Sequence, residues 1–269
     1  MSNASSYKNI VFIGAGNVST HLSTAMKNVG FQIRQIFSRT ADNAKSLADI
    51  YGCGFTTDVK NILPDADMYV FSLKDDALPE IIAGLASNNA LIKNGLWIHT
   101  AGSVSIDIFK GFTEHYGVIY PLQTLSKSRE TDFSKTPLFV EGNTESVENE
   151  IFNIASMLSE NVTRMSSEKR KHLHLAAVFA CNFSNHMYTI AAQILEKQSI
   201  DYKILQPLID ETANKLYSMS PKQAQTGPAI RYDTKVIEHH LSMLEDENIR
   251  KLYTMISESI AKAELLSQK

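Results

Sequence analysis

The run "IVFIGAGNVSTHL" at residues 10–22 limits the possible folds more than any other stretch of this chain. Four apolar residues lead into Gly14-Ala15-Gly16, and a helical pattern follows at once. Such a run reads as a buried strand, and a strand that passes through glycines straight into a helix opens a crossover unit. The alternation recurs to about residue 165. Further β-rich runs are "QIRQIF" (32–37), "GFTT" (54–57), "MYVFSL" (68–73), "LWIHT" (96–100), "GVIYP" (117–121), "PLFVEG" (137–142) and "NVTRM" (161–165), after a first strand at 9–15. Segments of helical length lie between several of them, at 17–28, 41–51, 78–87, 104–112 and 145–158. Strands alternating with helices need crossovers, and crossovers give a mostly parallel sheet.

After residue 166 the pattern changes. "SSEKRKHLHLAAVFACNFSNHMYTIAAQILEKQ" contains no breaker and reads as one long helix, with Ser166 or Ser167 as N-cap and Glu168 in its first turn. Helical patterns at 202–219, 233–245 and 247–267 are split by Pro221 and by "QTGPAIRYD". The chain therefore reads as α/β: a Rossmann-type, mostly parallel sheet at 7–165 followed by an all-helical domain at 166–269. Two modest domains suit 269 residues. Residues 1–6, "MSNASS", read as a disordered leader and are left out of the fold.

The bulk numbers exclude several partners. A net charge of −3 recruits neither nucleic acid nor an anionic membrane. The short basic run "SSEKRKH" reads as a solvated helix start. No apolar run approaches the ~20 residues of a membrane span. Two cysteines, Cys53 and Cys181, make no disulfide framework and fit a reducing cytoplasm.

A glycine turn between a first strand and a first helix fits a dinucleotide. The first glycine permits the tight turn, the second lets main-chain N–H groups approach a pyrophosphate, and the helix N-terminus adds partial positive charge. Gly14, Ala15, Gly16, Asn17 and Val18 are the candidate contacts, against the alternative of a purely structural bend. Ser19 stands where a third glycine or alanine is usual, which strains helix–strand packing slightly. The second strand ends in Ser38-Arg39-Thr40 with no carboxylate to hold a ribose 2′-OH. Arg39 can stack on adenine and fork onto a 2′-phosphate, so the reading is NADP(H) rather than NAD, although Asp42 lies close by. Other strand ends supply Leu73, Lys74, Thr100 and Gly102, each of them equally explicable as a turn residue. Tyr120-Pro121-Leu122-Gln123-Thr124 is a further strand end. His99, inside a strand, reads as a core histidine.

In the long helix, Lys171, His174, Val178, Asn182 and Asn185 follow helical spacing and share one face. Leu175, Ala177, Phe179, Ala180 and Met187 around them read as buried. Polar groups on a buried face need partners, supplied either by a substrate or by neighbouring helices. No metal is expected: His172 and His174 diverge on a helix, as do His239 and His240, and no zinc spacing occurs. In "TGPAIRYD", Asp233 is a good N-cap and Arg231 can clamp a carboxylate or phosphate. His240 falls with Val236, Ile237 and Leu244 on the inward face of the next helix. Asn185, Arg231, Asp233 and His240 are thus candidate substrate contacts.

"IHTAGS…YPLQTLS", "HLHLAAVFACNF" and "TGPAIRYDTKVIEHHL" resemble the hallmarks of a family of NADP-dependent oxidoreductases that joins a Rossmann domain to a helical domain of unknown function. The resemblance runs from about residue 8 to 255. More distantly the chain is similar to pyrroline-5-carboxylate reductase, ketopantoate reductase, 6-phosphogluconate dehydrogenase and deazaflavin-dependent NADP reductases. Those relatives imply a 6-phosphogluconate-dehydrogenase-like helical domain that pairs two chains into a homodimer, with the active site in the cleft between domains. Two departures matter. The nearer family has His-Pro where this chain has Tyr120-Pro121. The dehydrogenases place a catalytic lysine four residues before an asparagine; with Asn182 as that asparagine, the lysine position holds Val178. His174, an imidazole able to give or take a proton near neutral pH, is the substitute, with Asn182 orienting a small carbonyl or imine substrate. The rival expectation is an NADP-binding sensor without turnover.

Overall fold

The computed structural model describes residues 8–88 and 90–267, so the expected leader at 1–6 lies outside the described residues. Contacts divide the chain into two compact units, the first ending at Met187 and the second beginning at Tyr188.

The first unit is built on an eight-stranded sheet. In chain order it runs β1 (Asn9–Ile13), α1 (Asn17–Asn28), β2 (Gln32–Phe37), α2 (Ala41–Tyr51), β3 (Gly54–Thr56), β4 (Met68–Phe71), α3 (Leu78–Asn88), β5 (Leu96–His99), β6 (Tyr116–Pro121), β7 (Leu138–Gly142), α4 (Glu145–Leu158) and β8 (Val162–Arg164). All eight expected strands form. The spatial order is β3-β2-β1-β4-β5-β6-β7-β8, parallel except for the β6–β7 pair. That one antiparallel pair arises because the segment 122–137 carries a single 3-10 turn, at Phe133–Lys135, and no crossover helix. β4, β5 and β6 are buried along their whole length, as strands covered on both faces must be. One face packs Ile10, Phe12, Leu22, Met26, Ile151 and Ile154 under α1 and α4. The other packs Tyr69, Phe71, Trp97 and Phe109, whose rings meet at 5.0–6.3 Å. Each such fully buried side chain contributes roughly 1.5–3 kcal/mol. The helix expected at 104–112 shrinks to a 3-10 turn, Ile106–Phe109, because Gly111 turns the chain at φ +85° before a second turn can form.

The long helix is continuous but not uniform. α5 (Ser167–Ala177) passes through a π-helical turn, Val178–Phe183, into α6 (Ser184–Glu196). Ser166 is its N-cap, accepting from the Lys169 N–H. Single π turns inside helices accompany functional sites more often than plain helix does. The expectation that Leu175 and Phe179 are buried is corrected: they are 56% and 63% exposed. Ala180 is exposed as well.

The second unit continues with α7 (Gln206–Asn214), α8 (Pro221–Ala224), α9 (Thr234–Met243) and α10 (Glu247–Ser267). Pro221 does not merely break a helix; it starts α8, where a missing N–H costs nothing, behind a Ser220–Gln223 capping box. Ala229 is the single buried hydrophobic residue among the described residues of this unit. Among the described residues, no helix is long and apolar enough to cross a membrane.

Candidate cofactor and proton-transfer site

At the end of β1 the chain is pinned on both sides: the Gly14 N–H donates to Phe37 O and the Ser72 N–H donates to Ile13 O, each at 2.8 Å. Gly14 sits at φ +121°, and a Cβ there would lie 2.0 Å from Ser72 O. No other residue fits. Gly16 differs in kind. It is exposed, its Cβ would meet nothing within 4 Å, and it caps α1 without any side-chain hydrogen bond. The first-turn N–H groups of α1 are thus left to an outside acceptor, the arrangement that holds a phosphate. Ala15 is buried beneath the turn, Asn17 is exposed and Val18 half-buried. The Asn17 amide also donates to Leu125 O at 2.9 Å, which ties the 122–131 segment to this corner. Ser19 is fully buried and its hydroxyl has no partner, so the expected strain takes the form of an unsatisfied oxygen.

Beyond β2, Arg39 and Thr40 are exposed and Ser38 is half-buried; the Ser38 hydroxyl accepts from the Thr40 N–H at 3.3 Å. The Arg39 guanidinium has no hydrogen bond or ion pair among the described residues. Beyond β4, Leu73 is half-buried and Lys74 exposed. Thr100 donates to the Ser72 hydroxyl at 3.2 Å, and Ser103 bonds Asp75, so the loops after β4 and β5 are laced together.

Past the ends of β5 and β6 stands a pair that the sequence reading did not assemble. Tyr120 Oη lies 3.0 Å from His174 Nδ1, beside the buried Gly102. Asn182 and Asn185, about two and three turns of helix further on, are exposed.

α5 is held in place by Arg170, one turn before His174. Its guanidinium is fully buried and donates to Glu141 Oε2 (2.7 Å), Val104 O (2.6 Å) and Ser167 Oγ (3.1 Å). Ser167 in turn donates to Glu141 at 2.6 Å and accepts from the Ile106 N–H. The reading of "SSEKRKH" as a solvated helix start is therefore corrected at Arg170: its carboxylate partner is 29 residues away in the sequence, on β7.

His99 is buried to 0% exposure. Its Nδ1 accepts from the Ala101 N–H at 3.2 Å and its Nε2 has no partner. Burial, reinforced by the Arg170 charge, lowers its pKa to about 3, so it is a neutral core residue.

The remaining candidates belong to the second unit. Asp233 caps α9, accepting from the Val236 N–H at 3.2 Å, and Arg231 is exposed. His240 is not inward-facing as expected. It is exposed, with its Nδ1 2.8 Å from Tyr253 Oη of α10. Among the described residues no group of three His, Cys, Asp or Glu could hold a metal ion.

A mostly parallel sheet whose first strand meets its first helix through an open glycine turn defines a dinucleotide-binding protein of the Rossmann type. Comparison with known proteins narrows the class. Residues 9–94 match the family model described as NADP oxidoreductase, coenzyme F420-dependent, and residues 136–260 match a domain of unknown function, DUF2520. A crystal structure of a putative NADP oxidoreductase from Bacteroides fragilis is 45% identical with TM-score 0.91, over 96% of this chain and 100% of that one. The chain belongs to this NADP oxidoreductase family. A Thermotoga maritima protein (22% identity, TM-score 0.68, 97% and 100% covered) shares the fold. So does an imine reductase from Myxococcus stipitatus in complex with NADP+ (15% identity, TM-score 0.64, 95% and 93% covered). No curated protein matches the chain.

Proposed function

We propose that this chain is an NADP(H)-dependent oxidoreductase that passes a hydride between the nicotinamide and a small carbonyl or imine compound. The observation that carries the reading is the uncapped, unobstructed turn at Gly14–Gly16, with an unpaired Arg39 guanidinium at the neighbouring strand end. Main-chain N–H groups from Ala15 to Val18 would hold the pyrophosphate. Ser38, Arg39 and Thr40 would take the adenosine phosphate, and Leu73, Lys74, Thr100 and Gly102 would line the nicotinamide half. When bound, NADP(H) supplies the hydride; the protein supplies position and a proton. His174 is the general acid/base, Asn182 orients the substrate, and Asn185 is a further substrate contact.

Calorimetry tests the reading directly. NADPH is expected to bind at least tenfold more tightly than NADH, and Arg39→Ala to remove that preference by deleting a charge-assisted fork. Absence of heat from either nucleotide overturns the proposal. A sensor without turnover is the second reading, favoured by Val178 at the place where dehydrogenase relatives carry lysine. Tight NADPH binding with no oxidation by any imine or carbonyl would select it.

The helical unit also argues for a homodimer. With Ala229 as its single buried hydrophobic among the described residues, and with Ile204 and Leu208 68% and 63% exposed, it lacks the covered core of a free-standing domain. Sedimentation velocity is expected to show twice the 30.0 kDa chain mass; a monomer at micromolar concentration overturns this.

A further inference from the structure

Three elements meet at one point: the loop after β5 brings Gly102, β6 brings Tyr120 and α5 brings His174. The Tyr120 and His174 rings stand edge to face, 78° apart with centroids at 5.9 Å. A Cβ on Gly102 would lie 2.8 Å from His174 Cγ and Nδ1 and from Tyr120 Cζ, so the pair forms because residue 102 has no side chain. Tyr120 is buried and His174 half-buried. The second imidazole nitrogen, Nε2, has no hydrogen-bond partner among the described residues.

Resting on the reading of His174 as the acid–base group, we infer that Tyr120 is the positioning residue that keeps the imidazole's proton on Nε2, the nitrogen left to meet the substrate. A phenol hydroxyl both donates and accepts. Burial pushes the Tyr120 hydroxyl above its ordinary pKa against the pull of the Arg170 charge, with Cys181 adding to the rise, so it keeps its hydrogen. When the imidazole is neutral, that hydrogen goes to Nδ1, and the ring's own proton sits on Nε2. When the imidazole is charged, Nδ1–H donates to the phenol oxygen, and Nε2 again presents N–H. The ring is held the same way in both states. A carbonyl or carboxylate in place of Tyr120 could only accept, which would fix the proton on Nδ1 and leave a bare lone pair outward.

Reduction requires a proton, and the form that gives it is the imidazolium, which Tyr120 holds with Nε2–H outward. In a carbonyl reduction the Nε2–H bond of the imidazolium breaks as the alcohol O–H forms, and the bonding electrons stay on Nε2. The carbonyl carbon takes the hydride from the nicotinamide. Immediately after transfer the neutral ring bears its hydrogen on Nδ1, donated to the phenol oxygen; no phenolate is made, solvent returns a proton to Nε2, and the resting neutral ring regains the Nε2–H form.

Full-length protein labelled with 15N-histidine tests this by long-range proton–nitrogen correlation at a pH where His174 is neutral, the signal being assigned with His174→Gln. Wild type is expected to carry the proton on Nε2. Tyr120→Phe keeps the ring near Phe139 (6.4 Å between centroids) and is expected to move the tautomer ratio about fivefold toward Nδ1–H, the worth of one hydrogen bond. Gly102→Ala, which wedges the rings apart but keeps the hydroxyl, is expected to move it the same way. A wild-type proton on Nδ1, or a ratio that neither variant moves, overturns the inference. NADPH calorimetry on the wild-type protein separates the two claims: failure to bind defeats the oxidoreductase reading and leaves the tautomer result standing.

Discussion

Replacing Arg170 with methionine is expected to destabilise the sheet unit by about 3–5 kcal/mol, the usual cost of removing one partner of a buried ion pair. Methionine matches the stem's bulk, so little of the loss is cavity. What goes is the set of charge-assisted hydrogen bonds to Glu141 Oε2 and Val104 O, and what remains is a mostly buried carboxylate with the Ser167 hydroxyl still donating to it. The double variant Arg170→Met/Glu141→Met removes both charges and is expected to recover most of the stability. Urea unfolding followed by the fluorescence of Trp97, the single tryptophan, reads both variants. Equal loss in the single and double variants would show that the pair itself is not what holds α5. Because Arg170 also ties down Val104 O, its loss is expected to loosen Gly102 and, one helical turn on, His174. The tautomer preference of His174 should weaken in the single variant even where the fold survives.

Arg170 also shows where a sequence stops being readable. The strands were legible because each is a short apolar run bounded by turn residues, and burial on both faces leaves no other use for "MYVF" or "LWIH". The glycine turn was legible because its chemistry is local: two glycines, one strand and one helix lie within a dozen residues. Arg170 fails on both counts. It sits among Lys169, Lys171 and His172, which are exposed, and its carboxylate partner lies on a strand that only the sheet order brings near. Tyr120 and His174 fail for the same reason, being 54 residues apart and joined only when β5 and β6 lie side by side. The apolar run of the long helix misleads in another way. Apolarity says that Leu175 and Phe179 seek cover, not whether the cover belongs to the same chain.

Acid should begin to destabilise this protein through His99 before its carboxylates titrate. The folded pKa is about 3 against an ordinary 6.5, a lowered value, so below pH 6.5 the unfolded chain binds a proton that the folded chain refuses. Stability from this residue is complete above pH 6.5 and is lost as pH falls toward 3, at up to about 1.4 kcal/mol per pH unit. By pH 4.5 the loss is expected to reach about 3 kcal/mol, and a little over 4 by pH 3, where the folded ring is itself half protonated. The cause is geometric. Nδ1 accepts from the Ala101 N–H, so the neutral ring carries its proton on Nε2; a second proton would have to take Nδ1 and break that bond, in a buried space where Nε2–H has no acceptor, Phe109 packs its ring at 5.7 Å and Arg170 adds a repelling charge. His99→Asn offers the Ala101 N–H another acceptor but cannot titrate, and Trp97, two residues away on β5, reports the unfolding. The wild-type minus variant stability difference is expected to slope between pH 6.5 and 4.5 and to be level above pH 7. A difference that stays level throughout would mean that the folded chain does accommodate the proton, most simply through a water on Nε2, and that His99 does not set its acid limit.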